Sequence, residues 1–147
     1  MPILRRLQLA KVNNSGVLAL DVGTVRVGVA IASAHAQLPR PLITLSNNES
    51  FTEQLQQLIK NELIGKLVIG LPRGLNGQDT PQTAYVREFT ENLQTAVELP
   101  VTFQDEALSS TRAKQELEAR GKLYQKGDVD ALAATYILED YLIENRM

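Results

Sequence analysis

The residues most able to do chemistry in this chain of 147 residues are its acids. Asp21 ends an otherwise apolar run, VLALDV, at residues 17–22. An unpaired carboxylate at the end of a buried strand is costly, so Asp21 calls for a partner or a metal ion. The alternative is an Asp that caps the Gly23-Thr24 turn through its own backbone. Asp105-Glu106 follows a second short apolar run, again at a strand end. Glu106 is the stronger candidate of the two, although it would also favour the start of the next helix. Asp128 and Asp130 open the last helical segment, where acids are favoured as caps and by the helix dipole. Asp128 suits capping. Asp130 lies further inside the first turn, and Ala131, Ala133 and Ala134 after it leave room for close packing against a sheet.

Three carboxylates on two strand ends and a helix start can converge on one place. Mg²⁺ takes oxygen ligands and keeps several waters, so a few carboxylates and a substrate phosphate suffice to hold it. Mn²⁺ accepts the same ligands. Two such ions roughly 4 Å apart activate water and stabilise the leaving oxygen in phosphodiester cleavage. This chemistry needs neither Cys nor His, and the chain has no Cys and one His. Disulfides, thiolate catalysis and multi-His zinc sites are therefore excluded. His35, in Ala34-His35-Ala36-Gln37, stands without a Ser or Cys nucleophile motif and reads as a loop residue.

The elements that must position these acids can be read from periodicity. Residues 17–22 and 26–32 read as a strand pair around a tight turn. Gly28 inside the second strand signals a close backbone approach or a bulge. Residues 41–45 form a weaker third strand, whose Pro41 suits a strand start or a sheet edge. Residues 51–63 have helical spacing, and residues 66–71 (KLVIGL) form another buried strand. A Pro- and Gly-rich loop at residues 72–77 precedes a helix with Thr80 as its cap and Pro81 at its first position. A short strand at residues 101–103 runs into the second acid pair. Ser109 or Ser110 caps a helix ending at Gly121, and the last helix runs from about Asp128 to Glu144. The order β-β-β-α-β-α-β-α-α predicts an antiparallel meander extended by parallel crossovers, a mixed sheet covered by helices.

Length and composition fit one domain, residues 16–147, preceded by an extension at residues 1–15. The formal net charge is −2, which argues against a protein that coats nucleic acid, since that would be basic overall. Arg112, Lys114, Arg120, Lys122 and Lys126 nevertheless cluster, interrupted by Glu116 and Glu118. They form either a phosphate-facing patch or a solvated helix face. No apolar run approaches a membrane span, and the N-terminus lacks a signal-peptide core, so a cytoplasmic location without membrane contact is expected.

Four segments resemble the YqgF family of pre-16S rRNA nucleases and Holliday junction resolvase-like proteins. They are LALDVGTVRVGVA (18–30), VIGLPRGLNG (68–77), DEALSSTRAKQELEARG (105–121) and KGDVDALAATYILEDY (126–141). The resemblance implies an RNase H-like α/β fold with strand order 3-2-1-4-5. It also implies a cytoplasmic enzyme of 16S rRNA maturation. It places the family's acidic site on Asp21, Glu106 and Asp130. Arg26 matches the family's arginine, with the task of pairing a phosphate or holding an acid. Arg73, Lys126, Ser109 and Ser110 are the further substrate-binding candidates. Ala107 stands where the family often has Arg. Ser33-Ala34 replaces an Asp that often follows the second strand, and residues 66–71 lack the acid that related resolvases carry there.

The expected function is Mg²⁺-dependent endonucleolytic cleavage, in 5′ maturation of pre-16S rRNA, by a monomer or weak dimer. Asp21 would serve both ions, with Glu106 and Asp130 each completing one site. The alternatives are a non-catalytic module that binds rRNA or the transcription machinery, and a resolvase acting on branched DNA. A nucleotide phosphotransferase is a further reading of the Asp-x-Gly-Thr turn, but such enzymes need two domains of this kind.

Overall fold

The computed structural model describes residues 15–34, 37–106, 109–121 and 126–145. His35, Ala107, Lys122 and the extension at residues 1–14 lie outside the described residues. So do the side chains at positions 109–112, 114 and 126. The strands are β1 (Gly16–Val22), β2 (Arg26–Ala32), β3 (Arg40–Ser46), β4 (Ile64–Leu71) and β5 (Val101–Asp105). The helices are α1 (Phe51–Asn61), α2 (Pro81–Gln94), α3 (Ser109–Ala119) and α4 (Lys126–Glu144).

The strands form one sheet in the order β3-β2-β1-β4-β5, as the resemblance implies. β1 is antiparallel to β2 and parallel to β4, β2 is antiparallel to β3, and β4 is parallel to β5. Pro41 is accommodated because β3 is an edge strand with one side unpaired.

The two faces of the sheet differ in side-chain size. One face carries Leu18, Leu20, Val29, Ile31, Leu67 and Ile69, which pack with Phe51 and Leu55 of α1 and Val86 and Leu93 of α2. The other carries Ala19, Ala30, Ala32 and Val68 under Ala134, Ile137, Leu138 and Tyr141 of α4. Small residues on both partners let α4 approach the sheet closely. α3 packs outside α4 through Ala113, Val129, Leu132 and Ala133. Alternation along a strand places Asp21 on the α4 face with Ala19.

Several boundaries differ from the sequence-based expectation. α1 ends at Asn61 because Leu63 turns left-handed (φ 54°), and β4 accordingly begins at Ile64 instead of residue 66. β5 extends to Asp105, which pairs with Leu71. α4 starts at Lys126, so Asp128 sits within its first turn rather than capping it. The Gly127 carbonyl accepts a hydrogen bond from Thr44 Oγ1 (2.6 Å), tying this earlier start to β3. The Thr80 cap holds as expected, with a reciprocal capping box formed with Thr83. No helix among the described residues is long and apolar enough to cross a membrane.

Candidate functional site

Asp21 stands near the end of the central strand, directly opposite Gly28 of β2. On its other side the Leu20–Ile69 pair is the last in register, so Asp21 lies level with Gly70 of β4. Neither neighbour has a side chain, so other elements occupy the space on both flanks of the carboxylate: the start of α4 over Gly28, and Ile137 and Glu106 over Gly70.

Glu106 enters from the β5 side. Its backbone N–H donates to the Leu71 carbonyl (3.2 Å), fixing it one residue beyond the strand. Alternation sends Gln104 and Glu106 to the α4 face. Gln104 is buried there and donates to Glu144 Oε2 of α4 (3.1 Å). Asp105 faces the other way and stays exposed. This separates the two acids that the sequence left open: Glu106 meets Asp21 and Asp105 does not. The Glu106 carboxyl donates a hydrogen bond to Asp21. Burial pushes both carboxyl groups well above the usual carboxylate range. The bond between them raises Glu106 further and offsets part of the rise at Asp21, to which the charge of Asp130 adds a little.

Asp130 arrives from the first turn of α4. A Cβ on Gly28 would lie 2.0 Å from the Asp130 carbonyl oxygen, so the helix backbone occupies the space that any side chain would take. Arg26 Nε donates to Asp130 Oδ2 (2.7 Å), which holds that acid in place. Asp21, Glu106, Asp130 and Arg26 are thus brought together. No three acids among the described residues form a ready-made ion cluster, and Asp130 is paired with Arg26.

The donor set nevertheless suits a hard divalent cation. Two half-buried carboxyls hold one another only by keeping a proton. Among the described residues, no cationic side chain pairs with either. A divalent cation would replace that proton, with water and substrate phosphate filling its other positions.

Beside Glu106 opens a cavity of about 360 Å³, lined by Arg73, Gly74, Leu75, Gly77, Asp105 and Glu106. Arg73 stands at its rim, donating to Asp79 Oδ1 (2.7 Å) with Nε 3.6 Å from Asp105. The loop that carries it is closed by Gly74 N–H donating to the Gln78 carbonyl (2.8 Å). The buried Thr83 hydroxyl donates to the Pro72 carbonyl (2.5 Å) and pins the loop to α2. Ser109 and Lys126 begin α3 and α4. Of the basic cluster, Arg120 pairs with Glu116 one helical turn away. Gly70 was not singled out by sequence reasoning. Its signal was the same as that of Gly28, a lone glycine inside an apolar strand.

The RuvX family, described as Holliday junction resolvase, matches residues 15–144. A Sulfurihydrogenibium protein named "Putative pre-16S rRNA nuclease" is 38% identical over 130 residues, 87% of this chain and 90% of its own. A Crocosphaera subtropica protein of the same name is 40% identical over 134 residues, 88% of this chain and 93% of its own. Among solved structures, Thermus thermophilus RuvC superposes with a TM-score of 0.53 at 12% identity, covering 88% of this chain and 95% of its own. The fowlpox virus Holliday junction resolvase gives 0.50 at 10% identity, covering 89% of this chain and 99% of its own. Both place the sheet and its helices in the RNase H-like fold. The chain therefore belongs to the RuvX (YqgF) family of nucleases.

Proposed function

We propose that the chain is a Mg²⁺-dependent endonuclease acting at the 5′ side of precursor 16S rRNA in the cytoplasm, with Asp21, Glu106 and Asp130 as its acidic site. The observation that carries this reading is the Asp21–Glu106 pair, two half-buried carboxyls in direct contact beside an open cavity. The names of its relatives support the substrate.

Asp21, on the central strand, would be the ligand common to a pair of ions. Glu106 and Asp130 would each complete one of them. A bound divalent cation supplies charge for the phosphoryl oxygens and lowers the pKa of water. Asp21 and Glu106 give up their shared proton when such an ion is held. Arg26 orients Asp130 and limits the repulsion between it and Asp21. Arg73 exchanges its exposed Asp79 partner for a backbone phosphate and so holds the strand across the cavity. Ser109, Ser110 and Lys126 lie at the starts of α3 and α4 and would contact that phosphate backbone.

The test is cleavage of labelled RNA carrying the 5′ flank of 16S rRNA, with Mg²⁺, Mn²⁺ or EDTA, comparing wild type with Asp21→Asn. Metal-dependent cutting by the wild type should fall about 10³-fold or more in the variant, the several kcal/mol that a metal supplies. A folded Asp21→Asn protein that still cuts would sink the assignment. The family description makes branched DNA the second substrate reading. A four-way junction belongs in the same assay, and preferential cutting of it would favour that reading.

A further inference from the structure

Asp21 lies on β1 and Glu106 directly follows β5, strands that are not neighbours. β4 lies between β5 and β1, so the two backbones are separated by two strand spacings, roughly 10 Å. For the carboxyls to meet, the Glu106 side chain must cross β4. It crosses at position 70, where β4 has no side chain. A Cβ built on Gly70 would stand 3.1 Å from Glu106 Oε2 and 2.5 Å from Ile137 Cδ1. Two groups therefore share the vacancy. Ile137, fully buried on α4, fills it from above, and the Glu106 carboxyl fills it from the side.

We propose that Gly70 is a positioning residue for the candidate ion site: its missing side chain is the passage through which Glu106 reaches Asp21. This rests on the reading of Asp21 and Glu106 as ion ligands and goes beyond it by naming what brings them together. It also gives a physical reason for an acid on β5 where residues 66–71 carry none. Position 70 is level with Asp21, and the carboxylate occupying that place is supplied from the next strand.

The shared vacancy allows packing and chemistry to be separated. In Gly70→Ala the new methyl group displaces both Ile137 and Glu106. In Gly70→Ala/Ile137→Val the loss of Ile137 Cδ1 restores room for packing, but the new methyl still presses on the Glu106 carboxyl. Mn²⁺ binding by calorimetry, with thermal unfolding as the control for the fold, compares wild type, both single variants and the double variant. Ile137→Val should bind Mn²⁺ like wild type. The double variant should recover thermal stability relative to Gly70→Ala yet still bind about 10–100-fold more weakly than wild type, the usual effect of disturbing a ligand's support. Wild-type affinity in the double variant overturns the proposal. A crystal structure of the metal-free double variant supplies a second arm. The Glu106 carboxyl should be withdrawn from Asp21, and an unmoved carboxyl overturns the proposal whether or not the protein binds metal. A wild type that binds no Mn²⁺, with Glu106 withdrawn in the variant, would remove the ion reading and leave the positioning role standing.

Discussion

Asp21 and Glu106 are held together in the metal-free protein by a proton, and this makes the folded state sensitive to pH. Both carboxyls titrate above their unfolded values, so the folded protein keeps protons that the unfolded chain releases. The resulting stabilisation is complete below the unfolded carboxyl pKa of about 4 and is lost as pH rises through the folded values. The melting temperature in EDTA should therefore fall between pH 5 and pH 8. A flat or rising profile would contradict the raised values. Asp21→Asn removes one of the two buried acids and its repulsion with Asp130, so it should make the profile shallower and raise the melting temperature at pH 8, while removing metal-dependent cleavage. Opposite effects of one substitution on stability and activity are the mark of a site strained for its task. Mg²⁺ should reverse the loss in the wild type alone, because an ion bound by the folded state replaces the proton.

At the scale of elements, the site depends on how closely α4 lies on the sheet. Ala19, Ala30 and Ala32 leave a shallow face, and Gly28 lets the first turn of α4 touch β2. A methyl group at position 28 would meet the Asp130 carbonyl oxygen at 2.0 Å, a main-chain atom that cannot rotate away. Gly28→Ala should therefore cost about 3 kcal/mol, the upper end for overpacking, measured by denaturant unfolding. It should also uncouple Asp130 from Arg26. Retention of wild-type stability would mean that the helix start gives way more easily than the packing indicates. The strands and helices were legible in the sequence because their periodicities are strong, and Thr80-Pro81 marked its helix through local chemistry. The start of α4 was less legible. Its extra residues are tied down by the Thr44–Gly127 bond to a distant strand, a contact that no local pattern announces.

For the molecule as a whole, a net charge of −2 means that nucleic acid is held by local cations rather than by a general field. In the proposed function Arg73 is the cation for this task, since it lines the cavity and, among the described residues, is paired only with exposed acids, Asp79 and Asp105. Arg73→Ala should weaken RNA binding about equally across sequences and reduce the slope of log affinity against log salt by about 1. Filter binding at several salt concentrations, with Ca²⁺ in place of Mg²⁺, would measure both. An unchanged slope would place the phosphate contact elsewhere.

The sequence by itself determined the order of elements, the mixed sheet and the acids worth attention, because hydrophobic alternation and a charge at the end of an apolar strand are local signals. Family resemblance narrowed those acids to Asp21, Glu106 and Asp130. Only the tertiary structure decided which of Asp105 and Glu106 faces the site, since that turns on one step of alternation at a strand end whose register is set by β4. The tertiary structure also revealed that Asp130 is held by Arg26, a partner 104 positions away in the chain. Gly70 illustrates the same division. In the sequence it is one glycine in an apolar strand, and its importance comes from what crosses above it, which depends on strands and helices far apart in the chain.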